Sequence, residues 1–430
     1  MQKTKTMLFA AALLVACSSD NNLEKAPEQP EEEPIVNMLP KSRAIKLTDD
    51  QQALVQKSNE FSFNLYRTIN DEQTVKKSNF TSPFSVTYLM GMLNDGSTGV
   101  TADEIVSVLG FGENDKEIVN SYCQAFISQV PSADPSTIIK NANIIAVDKD
   151  VVLEDLYLEN MKKYYEAEAA SLDFDQSSSL DYLNKWCRDK TDGMIPQIID
   201  HIDSQTKLIL MNAISFKASW MDSFDKADTR DEQFIAADGS KTTIPMMHRK
   251  AQMLYRANDT YSTISLAYGD GSRWVLHVLL PEEGKTVDDI INSLNSTSWN
   301  PRSVKGTQAV VDIKLPRFET RSEVDLIGPL KSLGASSMFD SDKADFSHMS
   351  KNYKRLYVGE MKQKTAVEVN EDGTEASVVT EAEMLLGSPG QPSEDETLPK
   401  VDFHVNRPFV YMIQEWDSQA IFFIGTYQGY

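Results

Sequence analysis

The chain has 430 residues, 41% hydrophobic and 25% charged, with a net charge of −22. That length and apolar share support a large core, in one big domain or two to three average ones. The uniform acidity argues against nucleic acid or an anionic membrane surface as a partner and fits a solvated acidic exterior.

Lys3 and Lys5 precede a short apolar run from Met7 to Val15, which reads as a secretory signal and is too brief to cross a bilayer. It ends in Leu14-Val15-Ala16-Cys17, which resembles the bacterial lipobox. By that resemblance residues 1–16 are a signal peptide, and Cys17 is lipidated and becomes the mature N-terminus. The expected location is that of a secreted lipoprotein on the outer membrane, at the cell surface or the periplasmic face. Residues 17–44 contain Pro27, Pro30, Pro34 and Pro40 and the run Glu31-Glu32-Glu33, the composition of a disordered tether. A globular region, 45–430, follows.

Leu54, Phe61, Leu65 and Ile69 recur at helical spacing. Ser82-Pro83 opens a second helix carrying Phe84, Tyr88, Leu89 and Met92, since Pro is tolerated in a first turn. Asp95-Gly96-Ser97-Thr98-Gly99 reads as a turn. Leu153 to Tyr165 and Leu180 to Cys187 read as helices. Strands dominate later: Leu208 to Phe216, Trp274 to Leu280 ahead of Pro281, and Val311 to Leu315. Phe409 to Glu415 and Ala420 to Tyr427 flank Asp417-Ser418 as a terminal hairpin. Without β-α-β alternation, the fold class is α+β with mainly antiparallel sheets.

Between the helices and the final hairpin lies a segment with two readings. Thr374, Ala376, Val378, Thr380, Ala382, Met384 and Leu386 are small or apolar. Glu375, Ser377, Glu381 and Glu383 between them are polar. That period of two suits a half-buried strand. Yet the segment runs into Gly387-Ser388-Pro389-Gly390, the chemistry of an exposed loop.

No strong enzyme signature is present. His201, His248, His277, His348 and His404 stand in no familiar metal-ligand spacing. A nucleophile elbow, a P-loop and a dinucleotide fingerprint are all missing. Cys123 and Cys187 are too few for a disulfide framework, and sequence leaves their pairing open.

Several segments, in order, resemble the serpin family. Phe403 to Ile413, FHVNRPFVYMI, is similar to the family's C-terminal signature, and Glu371-Asp372-Gly373-Thr374-Glu375-Ala376 to the hinge of its reactive-centre loop. Asn79 to Ser85, Thr191 to Pro196, Met211 to Trp220 and Leu315 to Phe318 also match. The resemblance implies a serpin fold and, rather than an enzyme, a suicide inhibitor. The target protease cuts the exposed loop and is trapped as an acyl-enzyme while the cut loop inserts into the central sheet. The inserting piece, Thr374 to Gly387, would make a strand of roughly 45 Å. Carried over residue by residue, the hinge comprises Glu371, Gly373, Thr374, Glu375, Ala376 and Ser377. Ser82, Ser85 and Asn212 form a polar shutter, and Trp220 is the aromatic where insertion begins. Gln363 stands where many members have the shutter His, so a pH-triggered shutter is not expected. The reactive bond is Gly387-Ser388, with Leu385 or Leu386 as alternative specificity residues, because the following loop is longer than usual. Neither Lys nor Arg occurs from Glu371 through Pro399. This disfavours trypsin-like targets and favours elastase-like or chymotrypsin-like serine proteases, with cysteine-type enzymes left open. The alternative is a non-inhibitory serpin acting as a binding or chaperone module. A lipid-anchored monomer without cofactor or metal is expected.

Overall fold

The computed structural model describes residues 42–429, apart from 113–115, 204, 303–304, 354 and 375–396. In chain order its principal elements are α1 (Asp49–Glu72), β1 (Asn79–Thr81), α2 (Pro83–Gly96), α3 (Gly99–Leu109), α4 (Lys116–Gln129), β2 (Thr137–Asp148), α5 (Asp155–Tyr165), β3 (Glu168–Leu172), α6 (Ser177–Lys190) and β4 (Leu208–Ser219). Then come β5 (Arg230–Ile235), β6 (Lys241–Ala257), β7 (Tyr261–Tyr268), β8 (Trp274–Pro281), α7 (Val287–Ser293), β9 (Thr307–Pro316), β10 (Phe318–Asp325) and α8 (Ile327–Leu333). The chain ends with β11 (Lys362–Val369), β12 (Gly373–Thr374), β13 (Lys400–His404), β14 (Phe409–Glu415) and β15 (Ile421–Tyr427). Among the described residues, no helix is long and apolar enough to cross a membrane.

Two sheets organise the chain. One runs in the order β10-β11-β12-β4-β2-β3. The other runs β1-β15-β14-β8-β7-β6-β9-β13, with β5 against β6. Pairing is mostly antiparallel, as the pattern predicts. The exceptions among the described residues are β2 with β3 and β9 with β13, which are parallel.

The helix starts follow local chemistry. Thr48 and Gln51 form a reciprocal capping box at α1, with side chain to backbone distances of 3.2 and 3.0 Å. Ser82 caps α2 by accepting the Ser85 N–H at 3.2 Å, and Pro83 occupies the first turn. Every residue of α2 is buried, which places this helix inside the fold. Phe84 stacks on Phe422 of β15 with centroids 4.2 Å apart and meets Phe126 of α4 edge-on at 4.9 Å. Alternation along β4 divides its side chains. Ile214 and Phe216 join the large central core, whereas Met211 and Ala213 pack with Leu183 and Trp186 of α6.

Two expectations need correction. Asp95 and Gly96 are not a turn but the buried end of α2. The Asn120 and Asn160 amides hold the Asp95 carboxylate, and a Cβ on Gly96 would lie 2.7 Å from Met349 Cε. The predicted helix from Leu153 begins at Asp155, because Leu153 bridges to Ser350 as extended chain. Cys123 and Cys187 are both buried free thiols, each pushed up to about 12 by burial.

His277 of β8 is fully enclosed. It contacts Trp299 edge-on at 5.0 Å, and its Nδ1 lies 2.9 Å from the Ser265 hydroxyl. Burial drives its pKa down to about 3, so the folded chain keeps it neutral. A depressed histidine pKa contributes stability that is complete above the unfolded value of 6.5 and declines as pH falls below it. Between pH 7 and pH 5 this group should cost about 2 kcal/mol. Chemical denaturation at the two pH values should show that difference narrowing by this amount in His277→Gln.

Candidate functional site

The geometry of interest lies where β12 enters the first sheet. Asn370 turns the chain back on itself: its N–H donates to the Gly373 carbonyl at 2.9 Å, and its side-chain oxygen accepts the Asp372 N–H at 3.0 Å. Gly373 then pairs with Ser219. Thr374 pairs with Ala218 on one side and Val369 on the other. Gly373 has φ +156°, and a Cβ there would lie 2.0 Å from the Ala218 carbonyl oxygen. Only glycine fits so close a backbone approach. Thr374 is fully buried, and its hydroxyl hydrogen-bonds the Tyr268 hydroxyl.

Trp220 closes the top of this junction. Its ring stacks on Tyr268 at 4.4 Å and 10°. Its indole N–H donates to the Asn370 carbonyl at 2.8 Å, and its backbone N–H to the Asp372 carbonyl at 2.9 Å. Glu371 is buried beside it. Arg317 Nη2 reaches one carboxylate oxygen at 2.6 Å and Nε the other at 3.2 Å, while the Thr229 hydroxyl donates at 2.7 Å. Burial alone would push this carboxyl up. Arg317 and Thr229 outweigh it and hold Glu371 below the usual carboxylate range.

Below Thr374, β4 and β11 flank α2 with no ladder between them among the described residues. Near their lower ends lies a cavity of about 660 Å³, bordered by Leu208 to Asn212 on one side and Met361 and Lys362 on the other. The N-terminus of α2 is fastened to both strands. Ser85 donates from its hydroxyl to the Asn212 side-chain oxygen. The Asn212 amide donates to Asn141 at 2.6 Å and Asn143 at 2.9 Å, both on β2. On the other side, Gln363 clasps the Ser82 backbone. Its oxygen accepts the Ser82 N–H and its amide donates to the Ser82 carbonyl, both at 2.9 Å. The Ser82 hydroxyl donates in turn to the Phe422 carbonyl at 2.9 Å, tying in the second sheet. Ser82, Ser85, Asn212 and Gln363 each find a hydrogen-bond partner, which favours a rigid network, whereas the buried Asn141 amide nitrogen has none among the described residues.

The structure therefore brings Glu371, Gly373, Thr374 and Trp220 together at one end of the first sheet, and Ser82, Ser85, Asn212 and Gln363 together beneath it. Cys17, Glu375, Ala376, Ser377, Leu385, Leu386, Gly387 and Ser388 lie outside the described residues. Sequence reasoning missed Tyr268, Arg317, Thr229, Asn141 and Asn143. Of these, only the two amides left a signal, two residues apart on one face and just ahead of the apolar run Ile144 to Val147.

The chain matches the family described as serpin (serine protease inhibitor) over residues 56–428. It belongs to the serpin family. This serpin is 30% identical to Serpin-Z2A of Triticum aestivum over 397 residues, covering 89% of this chain and 98% of that one. It is 28% identical to the leukocyte elastase inhibitor of Equus caballus over 381 residues, 86% and 97% of the two chains. Among solved structures, native tengpin, a thermophilic serpin, superposes with a TM-score of 0.78 at 25% identity, over 91% of this chain and 97% of that one. Human thyroxine-binding globulin also superposes at 0.78 and 25% identity, over 88% and 98%. Members of this family are generally protease inhibitors rather than enzymes, and their partners are target proteases.

Arg317→Ala would leave the Glu371 charge buried without its cation. Because Arg317 is itself half-exposed, the expected loss is about 2 kcal/mol, read as a lower denaturation midpoint. Glu371→Gln in the same chain should recover part of it. A depressed carboxyl pKa adds stability that is present above the ordinary Glu value and lost as pH falls through the folded one. The acid-side loss of stability should therefore be smaller in the Glu371→Gln single variant.

Proposed function

We propose that this serpin is a suicide inhibitor of serine proteases that prefer apolar residues, elastase-like or chymotrypsin-like in specificity. The supporting observation is the register of β12. Thr374 pairs with Ala218 and Val369 and faces the core. Continued down the antiparallel strands, the same register sets Ala376 between Phe216 and Val367, Val378 between Ile214 and Thr365, and Thr380 between Asn212 and Gln363. Small and apolar side chains then meet core residues, and a hydroxyl meets the two amide side chains. Glu375, Ser377, Glu381 and Glu383 would fall on the opposite face, with Val379 and Leu385 as the apolar exceptions there. The period of two read from the sequence is thus in phase with the seat that Thr374 already occupies.

In this reading Glu371 to Ser377 is the hinge, Trp220 marks the point of entry, and Ser82, Ser85, Asn212 and Gln363 are the shutter that separates as the strand enters. The protease serine Oγ attacks the Gly387 carbonyl carbon. The Gly387–Ser388 bond breaks, and the Ser388 nitrogen leaves as an amine after receiving a proton from the protease. The loop inserts with the ester intact, carrying the enzyme with it. Leu385 and Leu386 are the alternative specificity residues. The lack of Lys and Arg from Glu371 through Pro399 removes the cation a trypsin-like pocket needs. A relative named leukocyte elastase inhibitor agrees with an apolar preference. Lipidation at Cys17, with residues 17–44 as tether, would hold the inhibitor at a membrane surface, on the outer membrane.

Incubation with pancreatic elastase or chymotrypsin should give an SDS-resistant band at the summed mass, and mass spectrometry of the released peptide should locate the cut. Thr374→Arg forces a charge into a fully buried seat. It should turn the inhibitor into a substrate, with cleavage retained and the complex lost. Cleavage of the wild-type loop with neither a complex nor a rise in melting temperature would instead favour a non-inhibitory binding role.

A further inference from the structure

The far edge of the second sheet gathers histidines and carboxylates that stand far apart in sequence. On neighbouring strands β6, β9 and β13, Lys250, Asp312 and Asp402 share one register row, and His248, Lys314 and His404 the next. These side chains lie on the outer face, since Val311, Ile313 and Leu315 between them are buried in the core. Asp312 Oδ1 is 2.9 Å from His248 Nε2 and 3.4 Å from His404 Nε2. Donor atoms of Asp312, Asp402 and His404 all lie within 4.8 Å of one another. His404 Nε2 is closed off from solvent and makes no hydrogen bond of ordinary geometry, although it points at a carboxylate. The lysines do not fill the centre. Lys314 is drawn away to Glu232 at 2.7 Å, and Lys250 lies 3.5 Å from the other oxygen of Asp312.

We propose that Asp312, Asp402 and His404 form a binding site for a divalent transition-metal ion, with solvent completing its coordination. Tetrahedral bonds of about 2.0–2.2 Å set neighbouring donors about 3.4 Å apart. The Asp312–His404 separation already meets that spacing. An imidazole beside two carboxylates suits Zn²⁺ and its neighbours better than Mg²⁺ or Ca²⁺, which take oxygen ligands. The ion would give His404 Nε2 the partner it lacks.

The position has a structural consequence. Among the described residues β13 pairs only with β9, in parallel, and it follows residues 375–396 after a short link. An ion held jointly by β9 and β13 clips this edge strand to the sheet. This inference is independent of the inhibitory reading, because it concerns the sheet edge alone.

Titrating Zn²⁺ into the full chain by calorimetry, with excess Mg²⁺ present, should show one site that His404→Gln and Asp402→Asn each weaken by about tenfold or more. His201→Gln, away from the cluster, should leave it unchanged. Hydrogen exchange in Lys400–His404 should slow about tenfold with Zn²⁺ in the wild type and stay unchanged in His404→Gln. Absence of Zn²⁺ binding, or affinity unaltered in both cluster variants, overturns the site. Binding without slower exchange in β13 overturns the clip. Asp402 is exposed, so its variant keeps the test sound if His404→Gln disturbs folding.

Discussion

The ladder that holds Thr374 between Ala218 and Val369 sets the phase for any chain that continues beyond it. A strand has two faces, and a shift of one residue exchanges them. With Thr374 turned inward, every second residue after it must tolerate a core and every residue between must tolerate the other face. Gly373 is what makes this seat reachable, because the Ala218 carbonyl leaves no room for a side chain. Two residues would thus commit any strand continued past them to one orientation. The Glu371–Arg317 pair and the Trp220–Tyr268 stack keep those two residues in place.

The polar contacts beneath β4 and β11 act as a second constraint. Side chains of Asn212 and Gln363 reach the same short stretch, Ser82 to Ser85, from opposite strands. Parting the strands therefore means breaking buried hydrogen bonds, and a buried group left without a partner is costly unless a new group replaces it. A hydroxyl arriving between the two amides is one such replacement. Gln363 supplies a donor and an acceptor at once and does not titrate. This half of the device is insensitive to pH, while the acid sensitivity of the region resides in Glu371.

Much of this was legible in the residues. Period-two alternation located the segment after Thr374, Ser82-Pro83 marked the start of α2, and the apolar runs located β4, β8, β14 and β15. The helical reading was weaker where burial overrides turn chemistry, as at Asp95 and Gly96, whose surroundings come from residues 25 to 250 positions away. The partners of known positions were least visible. Tyr268, Arg317 and Thr229 approach the β12 turn from three separate strands or loops, and nothing in their local patterns distinguishes them from other core or surface residues. The two amides Asn141 and Asn143 are the exception, since paired amides on one face of a strand that leads into the apolar run Ile144 to Val147 call for partners. The histidine cluster at the sheet edge illustrates the same limit. Spacing rules find ligands on one helix or hairpin, whereas His248 and His404 come to flank Asp312 only through the strand order.

That strand order also bears on how the protein is made. The last strands of the chain, β14 and β15, lie inside the second sheet, between β8 and β1, and Phe422 of β15 completes the packing around α2. As the polypeptide emerges from the ribosome, β8 keeps one edge without its native partner, and α2 lacks one wall, until the final residues are released. Closure of the core then awaits β14 and β15 and is dominated by contacts distant in sequence, such as Asn79 with Thr426. Truncation by a few C-terminal residues would affect the centre of the molecule rather than its margin.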